Sequence, residues 1–436
     1  MEEKLSSAHY QKVIMKILLW HPTYVLGGGY LLLTKLIEEL GKHPGVTRVT
    51  AAIHRDYQEL ITKDRFSSKV DLAFVYTGQA IDDVLRSDDI VYMVWPHGVA
   101  IPQVRVPTVC VFQDTILLDA FGAHTTDTFL GSMQQAVKDT VSQYSRIIVT
   151  SHYTKKRFVE IAGPVAAHKV DVLPHIASDD PNAKILRLSS ATNSSEQSRK
   201  SDHVEPKCQK FLLYPANVSE HKNHLALMIA LSKRKRKDVS LTLCGYGSEL
   251  VGSTQVTPNP YLNRLNKTIS DRGLKQDVDY RALGYVDDAS SEELMDQAMG
   301  LIMPTRAEGM GLPIHEALER GLPVIASDLP VLREHFGSRS DAILWVDPEC
   351  PSEIAAAWDE LCNRHKELSL IAESNRSCGV TWSDLADKTF QILQQEVRRA
   401  PKTIRIPGFG SVGRESRKRW FKGVERSIKR LWRRAG

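Results

Sequence analysis

Two glutamates spaced eight residues apart stand out in residues 305–328, which read TRAEGMGLPIHEALERGLPVIASD. Gly309 and Gly311 precede a predicted helix, so uncovered backbone N–H groups and the positive end of the helix dipole favour an anion there. Glu308 and Glu316 would repel that anion, but they can accept hydrogen bonds from hydroxyl groups. The stretch therefore predicts a diphosphate flanked by a sugar and a ribose. The alternative is a surface helix whose glutamates are solvated or complement the helix dipole.

The segments that would position this stretch alternate between strand and helix. An apolar run at 13–20 is followed by a glycine-rich loop and by a helix over 30–40 that Gly41 is expected to end. Such alternation predicts parallel sheets covered on both faces, with ligands at the carboxyl ends of the strands. Further strands are predicted at 49–53, 70–76, 90–95, 108–112, 146–151, 210–216, 239–245, 300–304 and 323–327, and helices at 223–232, 291–299 and 313–320.

A polar segment divides this α/β pattern into two halves. Residues 177–207 are rich in Ser, Asp and Asn and poor in apolar residues, which indicates a flexible linker or insertion. We therefore expect a Rossmann-like domain over 1–176 and a second one over 208–380, with a central cleft between them. A closing helix over 381–398 and a basic tail over 399–436 would follow.

Composition limits the class of protein. The 436-residue chain has 42% apolar and 25% charged residues, which is typical of a soluble globular protein with room for two domains. It has no run of about 18 apolar residues, and its N-terminus lacks the apolar segment of a signal peptide. Its six cysteines are scattered and lack the spacing of a zinc site. We therefore expect reduced thiols in a cytoplasmic protein without a metal site.

The stretch around the two glutamates resembles the E-x7-E region of retaining glycosyltransferases with the GT-B fold, specifically glycosyltransferase family 4. EGMGLPIHEALERGLPVIASD is similar in order and spacing to that family's pattern EGFGLPxLEAMAxGxPVIAS. The resemblance extends over roughly residues 12–176 and 208–398. It implies two Rossmann-like domains that face a central cleft, with a nucleotide-sugar donor held by the C-terminal domain.

The resemblance also implies how the donor is held. LLYPANVSEHKNHLALMIAL, residues 212–231, resembles the segment in which an Arg and a Lys grip the donor phosphates; Lys222 occupies the Lys position and Asn217 replaces the Arg. The sequence HKN at 221–223 is similar to the corresponding sequence of family members that use GDP-mannose. Glu308 would bind sugar hydroxyls, and Glu316 would bind the ribose. The donor-binding residues implied are Asn217, Gly245, Tyr285, Val286, Gly309, Met310, Gly311, Leu312 and Glu316.

In the first half, the resemblance points to loops that face the sugar. His97 occupies a position at which family members have a His or an acidic residue. Asp114 matches the Asp of a His-Asp pair, in which Gln113 replaces the usual His and cannot titrate. His97 can equally be structural. Gly28, within a triple glycine, would let backbone N–H groups approach the diphosphate or the acceptor; the alternative is a tight turn into a helix. The predicted catalytic residues are Glu308, Lys222, His97 and Asp114.

The basic charge is concentrated near the C-terminus. Residues 414–434 contain ten Lys or Arg and two Glu, a local charge of +8 in a chain whose net charge is +5. Basic residues would lie opposite an apolar side, which favours a helix that binds anionic lipid headgroups. A nucleic-acid arm or a protein-docking helix is the alternative. The apolar side consists of Trp420, Phe421, Val424, Ile428, Leu431 and Trp432.

Together with these patterns, the resemblance implies a retaining, metal-independent glycosyltransferase. It would transfer a sugar, with mannose from GDP-mannose preferred, to a hydroxyl of a lipid-linked or polysaccharide acceptor in cell-surface glycan synthesis. Lys222 and backbone donors would stabilise the leaving diphosphate without a cofactor. We expect no nucleic-acid partner and a location on the inner face of the plasma membrane. Two alternatives stay open: a non-catalytic membrane-associated scaffold, and an epimerase or hydrolase of the same fold.

Overall fold

The computed structural model of the chain describes residues 14–25, 27–95, 104–119, 127–178, 210–376 and 379–400. Within these ranges the backbone forms two parallel β-sheets flanked by helices. The predicted catalytic His97, most of the predicted linker 177–207 and the basic segment 414–434 lie outside the described residues.

The first sheet has seven parallel strands, and its inner strands are continuous apolar runs because both faces are covered. In chain order they are β1 (Met15–His21), β2 (Val46–His54), β3 (Val70–Val75), β4 (Ile90–Met93), β5 (Thr108–Phe112), β6 (Arg146–Val149) and β7 (Val170–Val172). Their spatial order is β3-β2-β1-β4-β5-β6-β7. The helices of this half are α1 (Gly28–Lys42), α2 (Ile116–Asp119), α3 (Asp127–Gln143) and α4 (His152–Ala162).

The second sheet has six parallel strands in the order β10-β9-β8-β11-β12-β13. They are β8 (Phe211–Pro215), β9 (Ser240–Cys244), β10 (Tyr280–Ala282), β11 (Gly300–Met303), β12 (Val324–Ser327) and β13 (Ile343–Val346). The helices that follow β7 in the chain are α5 (His224–Lys233), α6 (Pro260–Asp271), α7 (Asp288–Gln297), α8 (Leu312–Glu319), α9 (Pro330–Phe336), α10 (Pro351–Asn363), α11 (His365–Ser374) and α12 (Trp382–Arg399). The strand order reverses between β1 and β4 and between β8 and β11, and such switch points form ligand crevices.

Helix α12 packs against the first sheet, although it follows the second in the chain. Leu385 and Leu393 belong to the core that α1 and β1 also build. The ring of Phe390 stacks on His43 with 4.0 Å between centroids. The domain around the first sheet is therefore built from two separate stretches of the chain.

The two crossings between the domains lie side by side. Ser178 donates its N–H to the carbonyl of Val380 at 3.0 Å, and Trp382 donates its N–H to the carbonyl of Ser178 at 3.2 Å. The Ser178 hydroxyl also lies 2.9 Å from Nε2 of His315 in α8. The crossing at Ser178 is thereby hydrogen-bonded to the helix that carries Glu316.

Gly41 does not end its helix, contrary to the prediction. Helix α1 continues to Lys42. A Cβ at Gly41 would lie 2.5 Å from Cγ2 of Val70, and the Ser67 hydroxyl donates to the Gly41 carbonyl at 2.8 Å. The missing side chain therefore allows β3 and the turn before it to approach the helix.

The described residues also bear on membrane spans and on the state of the cysteines. Within the described ranges, none of the helices is both long and apolar enough to cross a bilayer. Cys110, Cys244, Cys350 and Cys362 carry free thiols, and three of these four side chains are buried.

Candidate active site in the interdomain cleft

The predicted site residues lie at the carboxyl ends of central strands from both sheets. Gly28 follows β1, Asp114 follows β5, Lys222 follows β8, and Glu308 follows β11. In parallel sheets these ends share one edge, which is where ligands bind. The two sheets thus contribute loops to one interdomain cleft.

Glycines allow the two sides of the cleft to touch. A Cβ at Gly28 would lie 3.0 Å from Cδ1 of Leu312, at the start of α8. A Cβ at Gly309 would lie 2.9 Å from Cβ of Asp114 and 3.4 Å from the carbonyl oxygen of Gln113. The separation between Gly309 and Cβ of Asp114 is shorter than an ordinary carbon contact, so a larger residue at Gly309 would push the domains apart. At Gly28 the neighbouring atom is the end of a leucine side chain, which can shift to make room.

Lys222 and Glu308 form a bidentate ion pair. The Lys222 Nζ lies 2.6 Å from Oε1 and 2.7 Å from Oε2 of Glu308. The Glu308 side chain is 8% exposed and that of Lys222 20%, so the pair is largely shielded from water. The predicted roles placed these two groups on different parts of the donor. The structure instead brings them into direct contact, and the lysine neutralises a carboxylate that is costly to bury alone.

Asn223 fixes the backbone beside this lysine. Its φ of 59° lies in the left-handed region, which Asn tolerates better than most residues. The buried side-chain amide donates to the carbonyls of Pro304, 2.9 Å away, and Pro348, 2.7 Å away. The Tyr214 hydroxyl donates to the carbonyl of Lys222. In the HKN sequence, the asparagine therefore ties the Lys222 turn to the end of β11.

The loop at 309–312 presents unoccupied backbone donors. Gly311 has φ 68° and ψ 44° and precedes α8 without a side-chain cap. The N–H groups of Met310, Gly311 and Leu312 have no acceptor among the residues that the structure describes. A Cβ at Gly311 would lie 2.9 Å from Cδ2 of Leu332, so glycine is required for both conformation and space. The loop combines uncovered donors with the positive end of a helix.

Glu316 is a partly buried carboxylate in α8, and its oxygens accept no hydrogen bond from another described residue. Burial raises the pKa of Glu316 to about 7; the Arg320 charge opposes this rise, while Glu292 and Asp288 add to it. When ionised, the group is therefore available to accept hydrogen bonds.

Asp114 faces the ion pair from the other domain. Burial raises the pKa of Asp114 to about 6, although the Lys222 charge and a hydrogen bond from the Ile116 N–H oppose the rise. That N–H lies 3.0 Å from Oδ1. The neighbouring Gln113 is buried, and its side-chain amide donates to the Val94 carbonyl at 3.2 Å. Asp114 is thus the titratable group that β5 brings to the cleft.

The predicted nucleoside-binding residues lie around β8, β9 and β10. Gly245 has φ 126°, and a Cβ there would lie 2.6 Å from the backbone carbon of Ala216, so only glycine fits. The Asn217 Oδ1 accepts the N–H of Tyr246 at 2.8 Å and fixes the loop after β9. Asn217 therefore has a structural contact where the family pattern places an Arg. Of the remaining pair, Tyr285 is 52% exposed and Val286 packs against the core.

Sequence reasoning missed an aromatic group on the first domain. Tyr24 packs on Tyr57 with 4.8 Å between ring centroids, and Tyr30 lies 5.8 Å from the same ring. Burial raises the pKa of Tyr285, and the proximity of Asp288, Tyr24 and Tyr30 adds to the rise. Tyr285 of the second domain is therefore close enough to Tyr24 and Tyr30 of the first for their charges to affect it. The spacing of aromatic residues in HPTYVLGGGY was the available signal.

Sequence comparisons give relatives for part of the chain. Residues 195–377 match the model of a family described as Glycosyl transferases group 1. An MMP alpha-(1->4)-mannosyltransferase of Mycolicibacterium hassiacum is 25% identical over 169 residues, 38% of this chain and 38% of that protein. The serotype-specific mannosyltransferase WbdA of Escherichia coli is 36% identical over 102 residues, 23% of this chain and 12% of that protein. These matches thus span well under half the length of either relative.

The structural comparison covers the chain more fully. The crystal structure of Anabaena HepE in complex with UDP and glucose superimposes with a TM-score of 0.61 at 16% identity, over 87% of this chain and 100% of that one. The chain has the GT-B fold. This confirms the predicted fold class, two parallel sheets facing a cleft. The family match and the GT-B fold together support a glycosyltransferase, while the roles of individual residues in the GT-B cleft stay predictions.

Proposed function

We propose that the chain is a retaining glycosyltransferase that moves a sugar from a nucleoside-diphosphate donor to a hydroxyl of a lipid-linked or polysaccharide acceptor. The observation that supports this most directly is the Lys222–Glu308 ion pair, which lies where the carboxyl ends of β8 and β11 meet. The same edge carries the uncovered N–H groups of 310–312. A cation and backbone donors suit a diphosphate, and the carboxylate suits the sugar attached to it.

The ion pair suggests how the donor would enter. The diphosphate would take hydrogen bonds from the loop N–H groups and from Lys222, and the lysine would then be shared between phosphate and Glu308. The freed lone pairs of Glu308 would accept sugar hydroxyls, and Glu316 would accept the ribose hydroxyls. Because the fold positions the loop N–H groups before the donor binds, these groups would stabilise the charge of the diphosphate with little reorganisation.

In the transfer step, the bond between the anomeric carbon and the phosphate oxygen breaks, and a bond to the acceptor oxygen forms on the same face. The departing phosphate oxygen takes the acceptor proton. Lys222 and the loop donors stabilise the negative charge that develops on the leaving diphosphate. Asp114, on the facing domain, would orient the sugar or acceptor. The step needs no metal in this proposal, so transfer is expected to persist in EDTA.

The preferred donor is GDP-mannose. Two relatives are mannosyltransferases by name, whereas the HepE crystal contains UDP and glucose, so the nucleotide needs a direct test. We expect GDP to raise the melting temperature more than UDP, ADP or dTDP, because only a ligand bound to the folded state stabilises it. Equal shifts with all four would contradict the assignment of the base.

The function itself is tested with the ion pair. Lys222→Ala and Glu308→Ala should each abolish transfer while the protein remains folded by circular dichroism. Lys267→Ala is a matched control, because that lysine forms an exposed ion pair with Asp271 at 2.8 Å and is not among the predicted site residues. Full transfer by either cleft variant would refute the proposal. Nucleotide binding without transfer would indicate a scaffold, and sugar release without acceptor a hydrolase.

Membrane association through residues 414–434 is part of the proposal. The local charge of +8 and the apolar side of the predicted helix support it. The full chain should sediment with vesicles containing anionic lipid, and a variant truncated after residue 400 should not. High salt should weaken the binding, since it screens charge. If both proteins sediment with the vesicles, membrane binding does not depend on residues 414–434. If neither does, membrane association is refuted.

A further inference from the structure

A carboxylate of the second domain caps a helix of the first. Glu334 lies in α9, and its Oε1 and Oε2 accept the backbone N–H groups of His152 at 2.6 Å and Tyr153 at 2.8 Å. These are the first two residues of α4. The Ser151 hydroxyl oxygen accepts the N–H of Thr154 at 2.9 Å. Acceptors from both domains thus cap the first turn of α4. The backbone N–H groups of that turn and the positive end of the helix dipole favour a charged acceptor such as the Glu334 carboxylate.

Tyr153 makes a second contact across the same interface. Its side chain packs against the core of the second domain. Its hydroxyl donates to Oδ2 of Asp119 at 3.1 Å, and Arg157 donates to Oδ1 of Asp119 at 2.9 Å. The N-terminal turn of α4 is therefore held rigidly within the first domain while Glu334 reaches it from the second.

Helix α9 also supports the loop that carries the uncovered donors. A Cβ at Gly311 would lie 2.9 Å from Cδ2 of Leu332 and 3.2 Å from Cε2 of Phe336, so both side chains pack directly against this glycine. Burial lowers the pKa of His335, and a hydrogen bond to the backbone of Gly309 opposes this lowering. Contacts to the loop and to the other domain thus come from the same short helix.

We propose that Glu334 is a positioning residue that couples closure of the cleft to the arrangement of residues 309–312. In the closed form, α9 is held at one end by α4 and supports the loop with Leu332 and Phe336. When the domains separate, Glu334 loses both backbone donors. Helix α9, which supports the loop, is then no longer held by α4. The coupling is a property of the fold, whereas its effect on sugar transfer rests on the proposed function.

Hydrogen exchange tests the coupling without substrate. The full chain is compared with Glu334→Ala, Glu334→Gln and the control Glu367→Ala, whose exposed carboxylate pairs with Arg364 at 2.7 Å. Glu334→Ala should speed amide exchange at 152–153 and also at 314–315, whose N–H groups bond to the Gly311 carbonyl at 2.9 and 3.2 Å, each roughly tenfold. Glu334→Gln should lie between, because its amide oxygen accepts one N–H. Faster exchange at 152–153 alone would refute the coupling, and no change at either segment would refute the cap itself.

Transfer kinetics test the catalytic consequence. Glu334→Ala should lower kcat roughly tenfold to hundredfold, with Glu334→Gln partly restoring it and Glu367→Ala unchanged. Equal kcat in all proteins would refute the positioning role. Absence of transfer in the unmodified chain would instead count against the proposed function, and the exchange experiment would still decide whether closure and loop are coupled.

Discussion

Replacing Glu316 by glutamine should change stability in a way that depends on pH. The carboxyl is partly buried in α8, and burial raises its pKa from the ordinary value of 4.5 to about 7. The folded protein therefore binds this proton more tightly than the unfolded chain does. Consequently the free energy of unfolding falls as pH rises from about 4.5 to about 7, and it changes little above that range.

The pKa difference sets the magnitude. Each pH unit between the two values corresponds to about 1.4 kcal/mol, so ionising Glu316 in the folded protein costs about 3 kcal/mol at pH 8. Glutamine has nearly the same shape but does not ionise, so Glu316→Gln removes this cost. The variant should gain about 2–3 kcal/mol relative to the original chain between pH 5 and pH 8.

Urea unfolding at pH 5, 6, 7 and 8 measures this difference directly. Glu373→Gln, at an exposed position of α11, serves as the control and should run parallel to the original chain at every pH. If the free energy of unfolding of Glu316→Gln also runs parallel to that of the original chain at every pH, the carboxylate is not desolvated. The explanation of its raised pKa would then be wrong.

The same residue links pH to donor binding. If the ionised carboxylate accepts the ribose hydroxyls, donor affinity should fall about tenfold per pH unit below 7, because the proton and the ligand compete. An intact nucleotide sugar is the proper probe, since its diester phosphates do not titrate in this range. Glu316→Gln should bind roughly tenfold or more weakly at pH 8 and lose the pH dependence. A variant that binds equally well would place the ribose elsewhere.

Three further substitutions test packing, two at residues beside the cleft and one between α12 and the first sheet. Gly309→Ala should reduce transfer by tenfold or more without lowering the melting temperature of the second domain, because the new methyl group would meet Asp114 at 2.9 Å and hold the cleft open; unchanged kcat would contradict that contact. Gly245→Ala should destabilise by roughly 2 kcal/mol or more in urea, because φ is 126° and a backbone carbon lies 2.6 Å away. Glu396→Gln should cost roughly 1–3 kcal/mol, since it weakens a buried pair with Arg146 at 3.1 Å, and unfolding midpoints matching the original would show that the pair contributes nothing.

Much of the fold follows from local patterns. Parallel strands buried on both faces are continuous apolar runs, so β5 and β11 could be predicted almost residue by residue. The short strands β7, β10 and β13 were not predicted. The sequences of β7 (VDV) and β10 (YRA) are three residues long and include a charged residue, so they carry no apolar run. The run ILWV of β13 is apolar but only four residues long, and it was overlooked. Gly41 was misinterpreted because the sequence cannot show that β3 packs against that glycine.

The candidate site was predictable in its composition and less so in its contacts. The glycines and glutamates of 308–316 indicated an anion site flanked by acceptors. Their sequence could not show that Lys222 pairs with Glu308, since that contact depends on β8 and β11 being neighbours in the sheet. Glu334 gave no signal at all, because a glutamate in a short helix is ordinary on a protein surface. Contacts between domains have no local pattern to reveal them.

The return of α12 to the first sheet has a consequence for how the chain matures on the ribosome. Leu385, Phe390 and Leu393 of α12 complete a core whose members outside α12 all precede residue 178. The second domain, over residues 211–374, is continuous and has its own core. At about 5–20 residues per second, the more than two hundred intervening residues take roughly 10–40 seconds to synthesise. The half of the protein that emerges first is therefore the half that finishes folding last, with the apolar face of α1 uncovered in the meantime.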